Sequence, residues 1–277
     1  MSDIEKQKAQ AHAFRAMHHG AKILVLPNVW DVASARILEE AGFGAMATTS
    51  AGIAFTLGYP DGQKISREGM LARVARIVRA VKVPVTADVE AGYGDRPEDA
   101  ADTARGVIEA GAVGMNLEDG IDQPGQLVDL SLQLEKIRAV REAALKSGVL
   151  LVLNARTDVY LEQIGAPETR YGETVRRLLA YRDAGADCVF APGVRDSETI
   201  SRLVQDVQCP LNILAGPGSP PVPELEKLGV ARVSLGSAPM RATLGLLRRM
   251  ADELKTTGTY AAIEGAPSHA DVNRMLG

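Results

Sequence analysis

The sequence predicts an α/β fold of the (β/α)8 barrel type, formed as one domain over residues 1–277, and three observations carry that prediction. Apolar runs of strand length alternate with segments of helical spacing along the chain. A helix-stop signature, Ala or Leu followed by Gly, recurs ahead of those runs. No Pro/Gly/Ser-rich linker divides the chain into halves. A doubly wound open sheet is the competing arrangement, but an uninterrupted series of eight βα units suits a closed barrel of about 250 residues better.

The elements follow in order. A polar, mixed-charge segment at 4–18 has helical character. Runs rich in Val, Ile and Leu at 23–26, 83–87, 150–153 and 211–214 lack period-2 polarity, as strands buried on both faces do. Weaker runs at 45–48, 114–117, 188–191 and 232–235 bring the strands to eight. Helical spacing occupies 32–40, 67–81, 98–110, 134–146, 174–184, 198–207, 222–228 and 237–254, and a helical tail covers 256–277. The stops are Ala41-Gly42, Ala110-Gly111, Ala184-Gly185 and Leu228-Gly229, where glycine permits the left-handed residue that ends a helix. Asp95 offers a capping acid ahead of Pro97, which fits a first helical turn.

Composition narrows the function classes. A hydrophobic fraction of 46% with 24% charged residues supports a large core. The formal net charge of −4 and the absence of basic clusters interleaved with aromatics argue against a nucleic-acid partner. The N-terminus carries no apolar signal segment and no run long enough to span a bilayer, so no membrane partner and a cytoplasmic location are expected. Cys188 and Cys209 are too few for a disulfide framework and read as buried thiols of a reducing compartment. The four histidines, His12, His18, His19 and His269, all fall in terminal segments, which leaves none for a zinc site or a Ser-His-Asp triad. His18-His19 reads as a solvated helix end. Neither a phosphate-binding G-x-x-x-x-G-K-[ST] loop nor a strand-borne G-x-G-x-x-G is present, so nucleotide cofactors are unsupported.

In a barrel of this type, chemistry belongs to the C-terminal ends of the strands. There the sequence places Asn28 and Asp31, then Asp88 and Glu90, then Asn116, Glu118 and Asp119, then Asn154, Arg156 and Asp158, with Asn212 in the seventh run. Carboxylates converging on one face repel one another unless a cation lies among them, and hard oxygen donors select Mg²⁺ or Mn²⁺. Arg156 is suited to bidentate contact with a carboxylate or phosphonate. For Asp31, Asp119 and Asp158, simple capping of the following helix is the alternative.

Asp88-Val89-Glu90-Ala91-Gly92-Tyr93-Gly94, Asn116-Leu117-Glu118-Asp119 and Asn154-Ala155-Arg156-Thr157-Asp158 together resemble the isocitrate lyase/phosphoenolpyruvate mutase superfamily. Pro27-Asn28-Val29-Trp30-Asp31, Thr48-Thr49-Ser50-Ala51-Gly52 and Leu57-Gly58-Tyr59-Pro60-Asp61-Gly62 extend the resemblance over most of the chain. It implies a (β/α)8 barrel with a swapped C-terminal helix, assembled as a homotetramer. It also implies Mg²⁺ chemistry that stabilises a pyruvate-like enolate from a small 2-oxo acid or dicarboxylate. By position, Asp88 is the central metal-shell residue, with Glu90 and Glu118 completing the shell and Asp61 approaching the metal-water network. Trp30, Thr49, Ser50 and Ala51 fall in the substrate-binding segments, the amides near Thr49 and Ser50 receiving a carboxylate. Arg156 neutralises developing charge, Asn212 matches a substrate contact and Tyr93 is a candidate proton source.

Two departures shape the expected activity. The family's D-x-D is Asp88-Val89-Glu90 here, one methylene longer at its second acid. The loop cysteine that serves the C–C lyases as acid/base has no counterpart between Glu118 and Asp129, and the glutamate expected after the sixth strand is replaced in Phe190-Ala191-Pro192-Gly193. Decarboxylation of an oxaloacetate-like substrate needs an electron sink but no such loop acid. P–C bond chemistry on a phosphonopyruvate-like substrate, a lyase on a substituted malate using Asp122 or Asp129, and a non-catalytic 2-oxo acid binding barrel are the alternatives.

Overall fold

In the computed structural model, which describes residues 3–121 and 125–277, helices and parallel strands alternate. The order is α1 (Asp3–Met17), β1 (Leu24–Leu26), β2 (Asn28–Val29), α2 (Val32–Glu40), β3 (Met46–Thr48), α3 (Ser50–Thr56), α4 (Arg67–Ala80), β4 (Val85–Asp88), α5 (Pro97–Glu109) and β5 (Gly114–Glu118). It continues α6 (Leu130–Ser147), β6 (Val152–Arg156), α7 (Pro167–Asp183), β7 (Cys188–Phe190), α8 (Ser197–Val207), β8 (Leu211–Leu214), α9 (Val222–Lys227), β9 (Arg232–Ser234) and α10 (Ala238–Thr256). A 3-10 turn, Ala261–Ile263, and α11 (His269–Leu276) end the chain.

The strand order is β1-β9-β8-β7-β6-β5-β4-β3-β2. Because β1 pairs with β9 and β2 with β3, the two short segments are halves of one strand, and joining them closes a (β/α)8 barrel. The break falls at Pro27, which has no N–H to give, yet its carbonyl still accepts from the Ala47 amide at 3.0 Å.

Alternation along each strand divides the side chains. Leu117, Leu153, Ala155, Val189, Ile213 and Val233 are fully or almost fully buried in the apolar core with the surrounding helices. The opposite positions, Asp88, Asn116, Asn154, Cys188, Asn212 and Arg232, are buried too, and most are polar. In the run Leu211–Leu214, Leu211 and Ile213 therefore face the helices, while Asn212 and Leu214 take the opposite side. α1 lies across the N-terminal end of the barrel: Gln7 Nε2 donates to the carbonyls of Ile108 and Ala112, at 2.8 and 3.0 Å, and Gln10 Nε2 to that of Lys82 at 2.7 Å.

The four predicted helix stops are formed. Gly42, Gly111, Gly185 and Gly229 have φ between 87° (Gly229) and 111° (Gly185), a range that side chains with a Cβ avoid. The cap of α5 differs from expectation: Arg96, not Asp95, is the capping residue, and Asp99 reaches back to accept from the Arg96 amide at 3.1 Å. α6 begins four residues earlier than its apolar spacing suggested because the Asp129 side chain accepts from the Ser131 amide at 2.9 Å. The helix α3 has no counterpart in the apolar pattern and starts from a Thr49 cap that accepts from the Gly52 amide at 3.2 Å.

His18 corrects a second expectation. It is 3% exposed, with Nδ1 2.8 Å from the Phe14 carbonyl and its ring edge-on to Phe14 at 4.9 Å. The chain turns inward after α1, so only His19 of the pair faces solvent. Burial, with the Arg232 charge nearby, brings the His18 pKa down to about 3. Cys188 is buried as expected, whereas Cys209 is half-buried.

Candidate active site

The polar strand ends converge at one mouth of the barrel, and Asp88 at the end of β4 is their anchor. Its Oδ2 accepts from both the amide and the hydroxyl of Ser50, at 3.0 and 2.9 Å, and its own amide donates to Thr48 Oγ1 at 2.8 Å. The other oxygen, Oδ1, faces Asn116 Nδ2 at 3.4 Å. Asn116 in turn accepts from Asn154 Nδ2 at 2.7 Å. Neighbouring strands in register, Asp88 beside Asn116 and Asn116 beside Asn154, produce this chain.

Arg156, at the end of β6, lies between two carboxylates. Its NH1 is 2.7 Å from Glu118 Oε2, while Nε and NH2 meet Asp158 Oδ1 and Oδ2 at 2.6 and 3.1 Å. Burial opposes its charge, but Asp158 and Glu118 hold the guanidinium above the ordinary arginine value. The Phe190 ring covers it, 5.8 Å from the guanidinium carbon to the ring centroid.

Glu90 occupies a left-handed conformation, φ 52°, and Tyr93 another, φ 56°. Such residues cost roughly 1–3 kcal/mol and persist where surrounding contacts impose them. Here the contacts are reciprocal: the Gln63 amide donates to Glu90 Oε2 at 2.5 Å, the Gln63 side chain accepts from the Tyr93 amide at 2.6 Å, and Tyr93 OH donates to Glu90 Oε1 at 3.2 Å. Lys136 Nζ pins the intervening backbone through the carbonyls of Ala91 and Gly94, at 3.1 and 2.8 Å. The extra methylene of Glu90 thus spans to the loop after α3. Gln63 escaped sequence reasoning, since nothing local marks a loop residue whose partner lies 27 positions away.

The carboxylates raise one another's proton affinity. Burial, then the charges of Asp88 and Asp61, lift Glu90 to about 7. Partial desolvation followed by Asp88 raises Asp61, which keeps contact with solvent. Glu118 is raised well above the carboxylate range, first by burial and then, against the pull of Arg156, by Asp158, Asp88 and Glu90. Tyr93 is also held above its ordinary value by burial and by Glu90, so it stays a phenol at neutral pH.

The other predicted positions divide. Among the first amides of α3, Ser50 is taken by Asp88 and Gly52 by Thr49, while the Thr49 amide bonds to the Val29 carbonyl at 3.0 Å. Ala51, in the same turn, is 8% exposed. Trp30 packs half-buried on the core, and a Cβ added at Gly52 would stand 3.2 Å from the Trp30 Cβ, so small size at Gly52 permits their approach. Asn212 Nδ2 donates to Ser234 Oγ at 3.2 Å. Asp31 is a helix cap, as its alternative reading had it. Asp119 is not a cap: it accepts from Thr157 Oγ1, the Asp158 amide, Arg177 NH1 and Tyr181 OH at 2.7, 2.9, 3.0 and 2.5 Å. Asp129 is used up as the α6 cap, and Asp122 lies outside the described residues.

As the side chains stand, no three His, Cys, Asp or Glu among the described residues are grouped to hold a metal ion. The donor chemistry nonetheless suits a hard dication. Asp88 and its neighbours Asp61, Glu90 and Glu118 supply carboxylate oxygens, and ionisation of Asp61, Glu90 and Glu118 is disfavoured by burial and by the charges around them, a conflict that a divalent cation relieves.

Residues 14–255 match the phosphoenolpyruvate phosphomutase family. An uncharacterised protein of Mycobacterium tuberculosis is 37% identical over 232 residues, 84% of each chain. An oxaloacetate decarboxylase of Pseudomonas aeruginosa is 30% identical over 254 residues, covering 85% of this chain and 83% of its own. Among solved structures, a Burkholderia cenocepacia J2315 protein named only as a lyase/mutase superposes with a TM-score of 0.92 at 40% identity, over 98% of this chain and 96% of the other. The resemblance read from the strand-end motifs is therefore a kinship: this barrel belongs to the phosphoenolpyruvate phosphomutase family, among the enzymes of the phosphoenolpyruvate mutase/isocitrate lyase superfamily.

Proposed function

We propose that the protein is a Mg²⁺-dependent carbon–carbon lyase that decarboxylates an oxaloacetate-like 2-oxo acid through a pyruvate-like enolate. The observation that carries this reading is the gathering of Asp61, Glu90 and Glu118 around Asp88 and opposite Arg156, with burial and neighbouring carboxylates raising the proton affinity of Asp61, Glu90 and Glu118. The Pseudomonas aeruginosa relative of that name supports the substrate class.

Asp88 and Glu118 would hold the ion, with Glu90 and Asp61 in its surroundings; bound there, Mg²⁺ supplies a Lewis acid for the 2-oxo group. In the reaction, the bond from C3 to the departing carboxylate breaks, its electron pair moves toward the C2 oxygen, and CO₂ leaves. Arg156 stands where negative charge grows on the enolate or its carboxylate, and its own pairing with Glu118 and Asp158 fixes that position. Ser50 holds Asp88, and a substrate carboxylate at the first turn of α3 would have to share or displace the partners that the Thr49, Ser50 and Gly52 amides already have. Protonation of C3 comes from water or from Tyr93 OH, which is kept protonated beside Glu90. Nothing in this sequence of events calls on the loop acid that the chain lacks.

The test is a panel of oxaloacetate, phosphonopyruvate, 2-methylisocitrate and substituted malates with Mg²⁺ or Mn²⁺, with pyruvate release coupled to lactate dehydrogenase. Release from oxaloacetate above the spontaneous rate is expected. Release from phosphonopyruvate alone would replace this reading with P–C chemistry, and thermal stabilisation by 2-oxo acids without turnover would replace it with a binding role.

No helix of the described residues is long and apolar enough to cross a membrane. We place the protein in the cytoplasm and propose that it assembles as a homotetramer with α10, as the swapped C-terminal helix, exchanged between copies. Only Met240 of α10 is buried, while Leu244, Leu246, Leu247 and Leu254 are between 41% (Leu246) and 53% (Leu247) exposed, which suits a helix covered by a second copy.

A further inference from the structure

Arg232 opens β9, and the alternation of that strand carries its side chain into the barrel, not the helical layer. It is 1% exposed. Its Nε and NH1 have no hydrogen-bond partner among the described residues, and NH2 lies 3.5 Å from Asn116 Oδ1. Asn154 Nδ2 donates to the same oxygen at 2.7 Å. Two donors converging on Oδ1 leave the Asn116 amide one orientation, with its nitrogen toward Asp88 Oδ1 at 3.4 Å.

A buried guanidinium without a carboxylate in contact is a poor way to stabilise a core. Exchanging buried charges for apolar side chains of similar size is often neutral or stabilising. Burial lowers the pKa of Arg232, with Cys188 and Asp88 as the groups that favour its charge. His18, the other titratable group beneath it, is driven to its neutral form and offers no counter-charge. The feature of the fold that this cation serves is the one its hydrogen-bond chain ends on.

We propose that Arg232 is a positioning residue for the site: from inside the barrel, it and Asn154 lock the Asn116 amide so that Asp88 is held ready for an ion and an anionic substrate. The inference rests on the metal-site reading above and adds to it a residue outside the strand-end motifs. Arg232 makes no hydrogen bond to Asp88, so it acts through the orientation of Asn116.

The test uses the full chain with Mn²⁺ and with oxalate, a planar dianion shaped like the pyruvate enolate, as calorimetric probes. Arg232→Met, Arg232→Lys, Asn116→Leu and the Arg232→Met/Asn116→Leu pair are compared, each with its thermal midpoint. Arg232→Met is expected to weaken Mn²⁺–oxalate binding about tenfold, roughly the effect of a coupled neighbour, with an unchanged or higher midpoint. Arg232→Lys recovers part of the loss, and the double variant binds no more weakly than Asn116→Leu alone. Wild-type affinity in Arg232→Met overturns the inference while leaving the metal site standing. Additive losses, or a loss that tracks a fall in midpoint and is not recovered by lysine, assign Arg232 to the core and overturn it too. If the wild-type protein binds neither probe, the metal-site reading falls and this inference falls with it.

Discussion

At the residue scale, burial decides which groups are chemically available. It pushes the Cys188 thiol up to about 12 and Cys209 up to about 11, so both are neutral at physiological pH. Cys188→Ser and Cys209→Ser are each expected to keep kcat/KM within a factor of about three, less than roughly 1 kcal/mol in the barrier. A loss of several hundredfold in a folded variant would reassign the proton transfer to a thiol. His18 contributes an acid-sensitive part of the stability. The unfolded chain takes up its proton near pH 6.5, while the buried ring resists protonation until about 3. Its stabilisation is thus intact above pH 6.5 and is lost as the pH falls toward 3, with a limiting slope of about 1.4 kcal/mol per pH unit. Urea unfolding of wild type and His18→Gln at about pH 7.5 and about pH 5 checks this, the variant losing less stability between the two. Asp88, Glu118 and Arg156 were legible because each ends a strand within a recognisable motif. Gln63 and Arg232 were not: one is a loop residue with a distant partner, and the other resembled the edge of a weak apolar run.

At the scale of elements, Asp119 shows how a strand-end acid serves construction. It follows β5 and gathers Thr157 and Asp158 after β6 with Arg177 and Tyr181 of α7, and its carbonyl accepts from the Val128 amide at 2.8 Å. Burial and the nearby Asp158 charge raise its pKa, against the hydrogen bonds from Tyr181, the Asp158 amide and Thr157. Asp119→Ala takes the acceptor from Thr157, the Asp158 amide and Tyr181 at once and leaves Arg177, 7% exposed, with Glu173 as its one remaining carboxylate among the described residues, and is expected to destabilise the fold by roughly 3–5 kcal/mol. Denaturant unfolding measures it, and a change below about 1 kcal/mol would show that water replaces the carboxylate readily. Helix existence was legible from apolar spacing because spacing reports the buried face. Starts were less so: α6 and α7 extend N-terminally past their apolar residues, to the Asp129 cap and to Pro167 at the first turn. The short helix α3 owes its place to a Thr49 cap and to Asp88 holding Ser50, and neither contact has a periodic signature.

For the whole molecule, the barrel could be read from the repetition of strand, helix and glycine stop, whereas closure at a strand split by Pro27 could not, because pairing partners lie at opposite ends of the chain. The leucines of α10 predict a particle larger than the 29.4 kDa chain in light scattering, and Leu247→Lys with Leu244→Glu is expected to shift it to smaller species; a monomeric wild type would remove the assembly from the account. The acidic mouth around Asp88 is proposed as a metal-dependent lyase site. It is tested most directly by following pyruvate formation from oxaloacetate with Mg²⁺, in wild type, in wild type with excess EDTA, and in Asp88→Ala with its fold verified by circular dichroism. Loss of at least about a hundredfold, roughly 2.7 kcal/mol in the barrier, is predicted in both the chelated and the substituted enzyme. Undiminished turnover in Asp88→Ala, or turnover indifferent to EDTA, would contradict it.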